Sequence, residues 1–324
     1  MCSTKAENEM WLASFTELGM LHIENKIDPK KSFEINLFKS PQHYQYLRAE
    51  WLLVPQVFLT PNSKYIIATY GIGYVYFILL SEKRIEKFFR LFSCVNYEDN
   101  SFKEIDTFCY YDELTQVDFS NTGRYVAIRV RGNYDPQSAG GLEVIFTPVY
   151  FRSIFIIDLL NLELCFYEDY NNVQSKYKNL ASIAFSPNDD SIAMGALGTI
   201  VKVFCIASGE CLGEFSSLVW ISDSCGIRDC PLISFLDENN FVYVNKDSDI
   251  IKVSLQQNGQ FIQSGIIKTA VPYSHAVDEE LYDKWKYIKK IEIKENKILC
   301  YFVGFMNYQQ QKTFKLYFDD INQN

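Results

Sequence analysis

The sequence predicts an all-β protein: a single β-propeller of four-stranded antiparallel blades, six or seven in number. Three observations predict it. A turn-centred pair of short strands recurs along the chain. Each copy is followed by a third strand and often a fourth, the make-up of a propeller blade. The chain is also rich in rings, with 25 Phe and 22 Tyr among 324 residues, and bulky rings favour pleated, half-buried surfaces.

The elements follow in order. Residues 10–53 hold strand candidates at Trp11–Thr16, Met20–Lys26 and Phe33–Phe38. Four segments then align without gaps: Gln56–Ala68, Gln116–Ile128, Ser182–Met194 and Leu232–Val244. Each runs from an apolar alternation through a polar turn into a second strand. In the second copy Val117 and Phe119 point to one side and Asp118 to the other, as the strand period of two requires, and Asn121-Thr122-Gly123 supplies a tight turn. The alignment makes Phe119, Phe185 and Phe235 equivalent, and their alternation predicts that all three are buried. Lys290–Leu299 reads as a fifth, shorter copy.

Third strands are expected at Tyr74–Leu80, Ser153–Leu159, Ile200–Ile206, Ile250–Leu255 and Thr313–Phe318. Fourth strands are expected at Ile85–Phe89, Glu163–Tyr167 and Glu210–Phe215. The last unit ends after three strands, near Asp320. An N-terminal strand donated to it would close the ring and remove an open edge. The whole of 1–324 then forms one domain.

The copy with the fullest pattern is Ala184-Phe-Ser-Pro-Asn, continuing through Gly198-Thr-Ile-Val-Lys-Val-Phe-Cys-Ile-Ala-Ser-Gly-Glu-Cys-Leu212. It resembles the WD-repeat family, and the resemblance extends over residues 54–92, 114–168 and 180–256. The chain departs from the family at fixed places. Phe204-Cys205 and Val253-Ser254 replace the Trp-Asp dipeptide, and Ile157-Asp158 alone keeps the Asp. The three histidines, His22, His43 and His275, cannot supply the family's His–Asp network in its ordinary form. Hydrophobic packing is expected to hold the blades instead. The resemblance implies a non-enzymatic scaffold for another protein, an inference by analogy of fold. Gly198–Phe204 followed by Gly213-Glu-Phe215 is also similar to the PROPPIN family, which binds phosphoinositides through a Phe-Arg-Arg-Gly motif. Here Ser216-Ser217-Leu218 follows Phe215, so both arginines are missing.

Charge and composition exclude several functions. The formal net charge of −9 argues against a general nucleic-acid binder, which needs a positive field to displace counterions from phosphates. No apolar run approaches the roughly 20 residues that span a bilayer. Nine scattered cysteines read as reduced thiols, so a cytoplasmic protein is expected rather than a secreted one, or a lipoprotein anchored through Cys2. Cys225 and Cys230 lack a second pair at zinc spacing. Phosphate-loop, dinucleotide and nucleophile-elbow motifs are missing. The reading therefore assigns no catalytic residue, no metal and no cofactor. An enzyme with carboxylates converging in a central channel is the alternative.

The expected binding face follows from loop length. In such a blade, strands a to d, the b–c and d–a connections emerge at one end and the a–b and c–d turns at the other. The b–c connection Gly132–Val149 is long. So are the d–a connections Ser93–Glu113, Glu168–Asn179, Ser216–Asp229 and Lys268–Lys286. Long loops on a rigid scaffold are where binding concentrates. Aromatic anchors there, with one carboxylate, give the candidate partner-binding set Tyr110, Tyr111, Tyr134, Asp135 and Trp220. Val277–Lys286 reads as a short helix docked by Trp285. The lysines from Lys284 to Lys297 form a basic edge that could meet a phosphate or membrane surface.

Overall fold

The structure is a computed structural model. It describes residues 5–17, 19–37, 56–70, 74–90, 114–134, 149–169, 182–195, 200–216, 232–245, 249–267, 286–294, 297–306 and 310–318. These residues form six antiparallel up-and-down sheets, five of four strands and one of three. The chain groups into two compact units, Met1–Gln174 and Ser175–Asn324.

The first unit holds three sheets. The first is β1 (Lys5–Glu7), β2 (Trp11–Glu17), β3 (Met20–Asn25) and β4 (Phe33–Asn36). The second is β5 (Gln56–Leu59), β6 (Tyr65–Tyr70), β7 (Tyr74–Leu79) and β8 (Arg84–Arg90). The third is β9 (Leu114–Phe119), β10 (Tyr125–Tyr134), β11 (Val149–Asp158) and β12 (Glu163–Asp169). In the second unit the fourth sheet is β13 (Ser182–Phe185), β14 (Ser191–Gly195), β15 (Ile200–Cys205) and β16 (Cys211–Ser216). The fifth is β17 (Ile233–Phe235), β18 (Asn240–Val244), β19 (Ile250–Leu255) and β20 (Phe261–Ile267). The sixth is β21 (Lys286–Lys294), β22 (Lys297–Met306) and β23 (Gln310–Phe318).

The strands fall where the repeat places them, with four differences. First, β10 and β11 pair over ten residues each, out to Tyr134 and Val149, so the connection between them begins at 135 and not at Gly132. Second, Lys286 opens a strand rather than closing a helix. Third, β1 and β20 were not anticipated: β1 is only three residues long, and Ser264-Gly265 interrupts the apolar pattern of β20. Fourth, every described strand of residues 5–36 pairs within the first sheet, so no described N-terminal strand joins the sixth. The reason is local. Asn8 Oδ1 accepts from the backbone N–H groups of Met10 and Trp11, and this turn returns β1 onto β2.

The a–b turn repeats atom for atom in three sheets. Backbone N–H donates from Thr60, Ser120 and Ser186 to the carbonyls of Tyr65, Tyr125 and Ser191. The hydroxyls of Thr60, Ser120 and Ser186 then accept from the backbone N–H of those same residues, each at 3.0 Å. Two positions before the second strand the backbone is left-handed, at Ser63 (φ 54), Gly123 (φ 74) and Asp189 (φ 60). Glycine suits that conformation best. The fifth sheet departs. Leu236 has no hydroxyl to offer, and Phe235 pairs with Phe241 across a turn one residue shorter than the Phe119–Val126 and Phe185–Ile192 hairpins. The alignment of Leu232–Val244 therefore needs a gap. Ser186 is fully buried, so Ser186→Ala leaves the buried Ser191 N–H without its side-chain acceptor. The expected loss is about 1–2 kcal/mol, read in a urea melt.

Buried residues cover both faces of the second sheet. Ile66, Ala68, Tyr76 and Ile78 pack with Trp11, Leu21 and Ile23 of the first sheet. The alternate residues Tyr65, Ile67, Val75 and Phe77 pack with Val126, Ile128, Phe155 and Ile157 of the third. This explains why β6 and β7 read as continuous apolar runs rather than alternating ones. In the second unit, Ala193, Val201, Val203 and Phe215 of the fourth sheet pack on Phe241, Tyr243, Val253 and Phe261 of the fifth. Phe185 is buried, whereas Phe119 and Phe235 are only half-buried. All three sit on first strands, but two of them lie at the margin of a core rather than inside it.

First strands neighbour first strands: β1 lies by β5, and β13 by β17, which lies by β21. Each outer strand from the second to the fifth sheet carries one register shift where it pairs with its inner neighbour. Such bulges twist an edge and blunt its pairing with foreign strands.

Candidate functional site

The two ends of the sheets are built differently. At one end the a–b and c–d turns are short and closed by their own hydrogen bonds. Each c–d turn in the second to fifth sheets contains a left-handed residue: Lys83, Leu162, Gly209 and Gly259. A backbone bond ties each c–d turn to the a–b turn beside it, from Leu80 to Lys64, Leu159 to Arg124, Ile206 to Asp190 and Leu255 to Asn239.

Neighbouring sheets within a unit present this end on the same side. In the first unit Asn8 Nδ2 donates to Ser63 Oγ at 2.8 Å. The position of a Cβ at Gly123 lies 3.5 Å from Pro61. In the second unit an added Cβ on Gly213 would lie 2.9 Å from the Phe261 carbonyl, near the short-turn end of both outer strands. Toward the opposite end the Tyr243 hydroxyl donates to the Ser216 carbonyl at 3.0 Å.

The opposite end carries the long connections, 38–55, 91–113, 135–148, 170–181, 217–231 and 268–285. Of the expected partner-binding residues, Tyr134 closes β10, where it pairs in register with Val149. Tyr110, Tyr111, Asp135 and Trp220 lie outside the described residues, as do Trp285 and the helix expected before it. The basic stretch resolves into register positions. Lys286, Lys289, Lys290 and Lys294 belong to β21, with the register shift between Ile288 and Lys290, and Lys294 pairs with Lys297.

The described residues hold one charged cluster that the sequence pointed to only through its Asp. Asp158, the last residue of β11, is buried, at 7% exposure. One carboxylate oxygen accepts from the Leu160 backbone N–H at 2.7 Å, and the other from Arg124 at 3.0 Å. The side chain thus locks a c–d turn to an a–b turn. The hydrogen bond to Asp158 raises the Arg124 pKa and keeps the guanidinium charged. Burial, and then the Asp158 charge, push the neighbouring Cys165 thiol up. A second pair, Arg129 to Asp118 at 2.6 Å, lies on the face of the third sheet opposite Val117 and Phe119. This agrees with the predicted direction of Asp118.

Cysteine behaviour follows the same local chemistry. Cys165 is exposed, and Cys205 and Cys211 are half-buried. Burial pushes the Cys205 thiol up. Hydrogen bonds from the Ser208 side chain and the Ser208 and Ala207 backbone outweigh it, and the net shift is downward.

Burial pushes the Tyr243 phenol up to about 12 from its ordinary 10.0. The folded state holds this proton more tightly than the unfolded state does. The contribution is therefore complete below pH 10 and is lost as pH rises through about 12. Tyr243→Phe is expected to flatten the fall in stability across that window, as followed by denaturant melts at stepped alkaline pH.

Among the described residues no three His, Cys, Asp or Glu side chains gather as a metal site, and no helix is long and apolar enough to cross a membrane. Comparison with protein-family models and with curated proteins gives no match.

Proposed function

We propose that the six sheets are the blades of a diverged WD-like propeller, and that the protein is a non-enzymatic interaction module. A partner protein engages the end bearing the long b–c and d–a connections. One observation carries this reading: the contrast between the two ends. The short-turn end is occupied with its own hydrogen bonds, repeated from sheet to sheet. The other end carries nearly all the additional chain length, and length added to a repeat scaffold gathers on its binding side.

The anchors are Tyr110, Tyr111, Tyr134, Asp135 and Trp220. Tyr and Trp offer large contact area at small entropic cost. The test uses the full chain as bait in its native host, with partners identified by mass spectrometry. Replacing Asp135–Gly141 with a Gly-Ser linker is expected to leave the melt unchanged and to weaken capture, because the paired residues end at Tyr134 and resume at Val149. Trp220→Ala is expected to weaken binding by about 2 kcal/mol or more, roughly thirtyfold in Kd. Capture at wild-type levels by both variants would move the binding surface elsewhere. Unfolding by Trp220→Ala would make that residue structural.

A further inference from the structure

The described short turns of the first unit and those of the fourth and fifth sheets carry opposite charge. In the first unit the connections at this end hold Lys26, Lys30, Lys31, Lys64, Lys83 and Arg124, against Glu9, Asp28 and Glu82. In the second unit the turns 186–190, 206–210, 236–239 and 256–260 hold five carboxylates and no Lys, Arg or His. A chain with net charge −9 has nonetheless gathered an excess of cations on one set of turns.

The cations are adjacent and available. Lys83 Nζ reaches the Lys30 carbonyl at 3.4 Å, and the Leu80 N–H bonds the Lys64 carbonyl at 3.2 Å, which brings the three turns together. Lys30, Lys64 and Lys83 are exposed. The ion pairs at this end engage Lys26, Lys31, Arg84 and Arg124 and leave these three without a carboxylate among the described residues. In the second unit Asp190, Glu210 and Glu238 are exposed and meet no cation among the described residues; the ion pair found there joins Lys202 to Glu214.

We propose that the basic turns of the first unit dock on the acidic turns of the fourth and fifth sheets of another copy, giving salt-sensitive self-association. The chemistry favours this partner over a single bound phosphate. Hydrated lysine heads spread over three turns suit carboxylates that are likewise carried on several turns, whereas a phosphate needs donors converging on one point. Exposed ion pairs are individually weak. The association is therefore governed by ionic strength: charges act over about 20 Å at ~20 mM salt and over about 5 Å at ~0.3 M.

Sedimentation velocity of the full chain at about 50 μM tests it under these two salt conditions. The wild type is expected to self-associate at the lower and to be monomeric at the higher. Lys30→Glu with Lys83→Glu is expected to be monomeric at both, and so is Glu210→Lys with Glu238→Lys. The fourfold variant restores complementarity with swapped signs and returns the net charge to the wild-type −9, and it is expected to self-associate again. A wild type that stays monomeric at low salt overturns the proposal. So does an assembly that survives high salt or either double variant, or a fourfold variant that remains monomeric. None of these outcomes bears on the long-loop end, so the interaction reading above stands or falls separately.

Discussion

Phe241→Ala is expected to remove about 3–5 kcal/mol from the stability of the second unit, the usual range for deleting a fully buried ring. Phe241 is 0% exposed at the start of its inner strand. Its ring lies 5.4 Å from Phe235, 5.7 Å from Phe261 and 5.9 Å from Phe215, centroid to centroid. The last two contacts are edge-on, an orientation that adds to simple burial. Three aromatic neighbours on three different strands cannot all relax into one vacancy, so much of the cavity term persists. Phe235 itself is half-buried, and Phe235→Ala is expected to cost clearly less. Guanidinium melts of the two variants side by side check the order. A Phe235 variant that loses as much as the Phe241 variant would refute this account of the fifth sheet's packing.

Gly213→Ala is expected to be the most damaging of the single-methyl additions, at about 1–3 kcal/mol. The new Cβ would sit 2.9 Å from the Phe261 carbonyl oxygen and 3.1 Å from the Phe215 ring. The first of these is backbone of the neighbouring sheet's outer strand and cannot rotate away. Gly265→Ala is the control. It lies on another outer strand, and its added Cβ would meet only the Lys252 side chain at 3.7 Å, a contact within ordinary van der Waals distance. Thermal melts should separate the two, with Gly213→Ala lower in Tm by several degrees. Equal melting temperatures would mean that the two sheets approach less closely than this geometry requires.

Much of the fold was legible because one hairpin is written several times. The hydroxyl at Thr60, Ser120 and Ser186, followed by a residue that accepts positive φ, fixes the turn, and the turn fixes the register. Where that chemistry lapses, at Leu236, the alignment slipped by a residue. The short first strand, Lys5–Glu7, left too little periodicity to be seen, and the pattern of β20 is broken at Ser264-Gly265. Burial at Phe119 and Phe235 was overread, because alternation assigns a side to a residue but not its depth. The Asp158–Arg124 lock needed two residues 34 apart in sequence to meet. Only Asp158, through its likeness to the Asp of the WD dipeptide, marked it. Of the partner-binding candidates, Tyr134 alone stands in a described strand; the rest were chosen for residue type and loop length, which describe a surface without giving its geometry.

The completeness of the first sheet has a consequence for how the chain is made. Each sheet takes all its described strands from one uninterrupted stretch, and the first is finished by Asn36, before β5 begins. Among the described strands, pairing never waits for a segment beyond its own sheet. Contacts this local in sequence close quickly, because little chain entropy is lost in joining them. A nascent chain can therefore set its hairpins one by one as they emerge. What must wait is the burial of each sheet's faces: Ile66 and Ala68 have their partners ready when they appear, while Tyr65 and Ile67 stay uncovered until the third sheet, nearly sixty residues on, has been made.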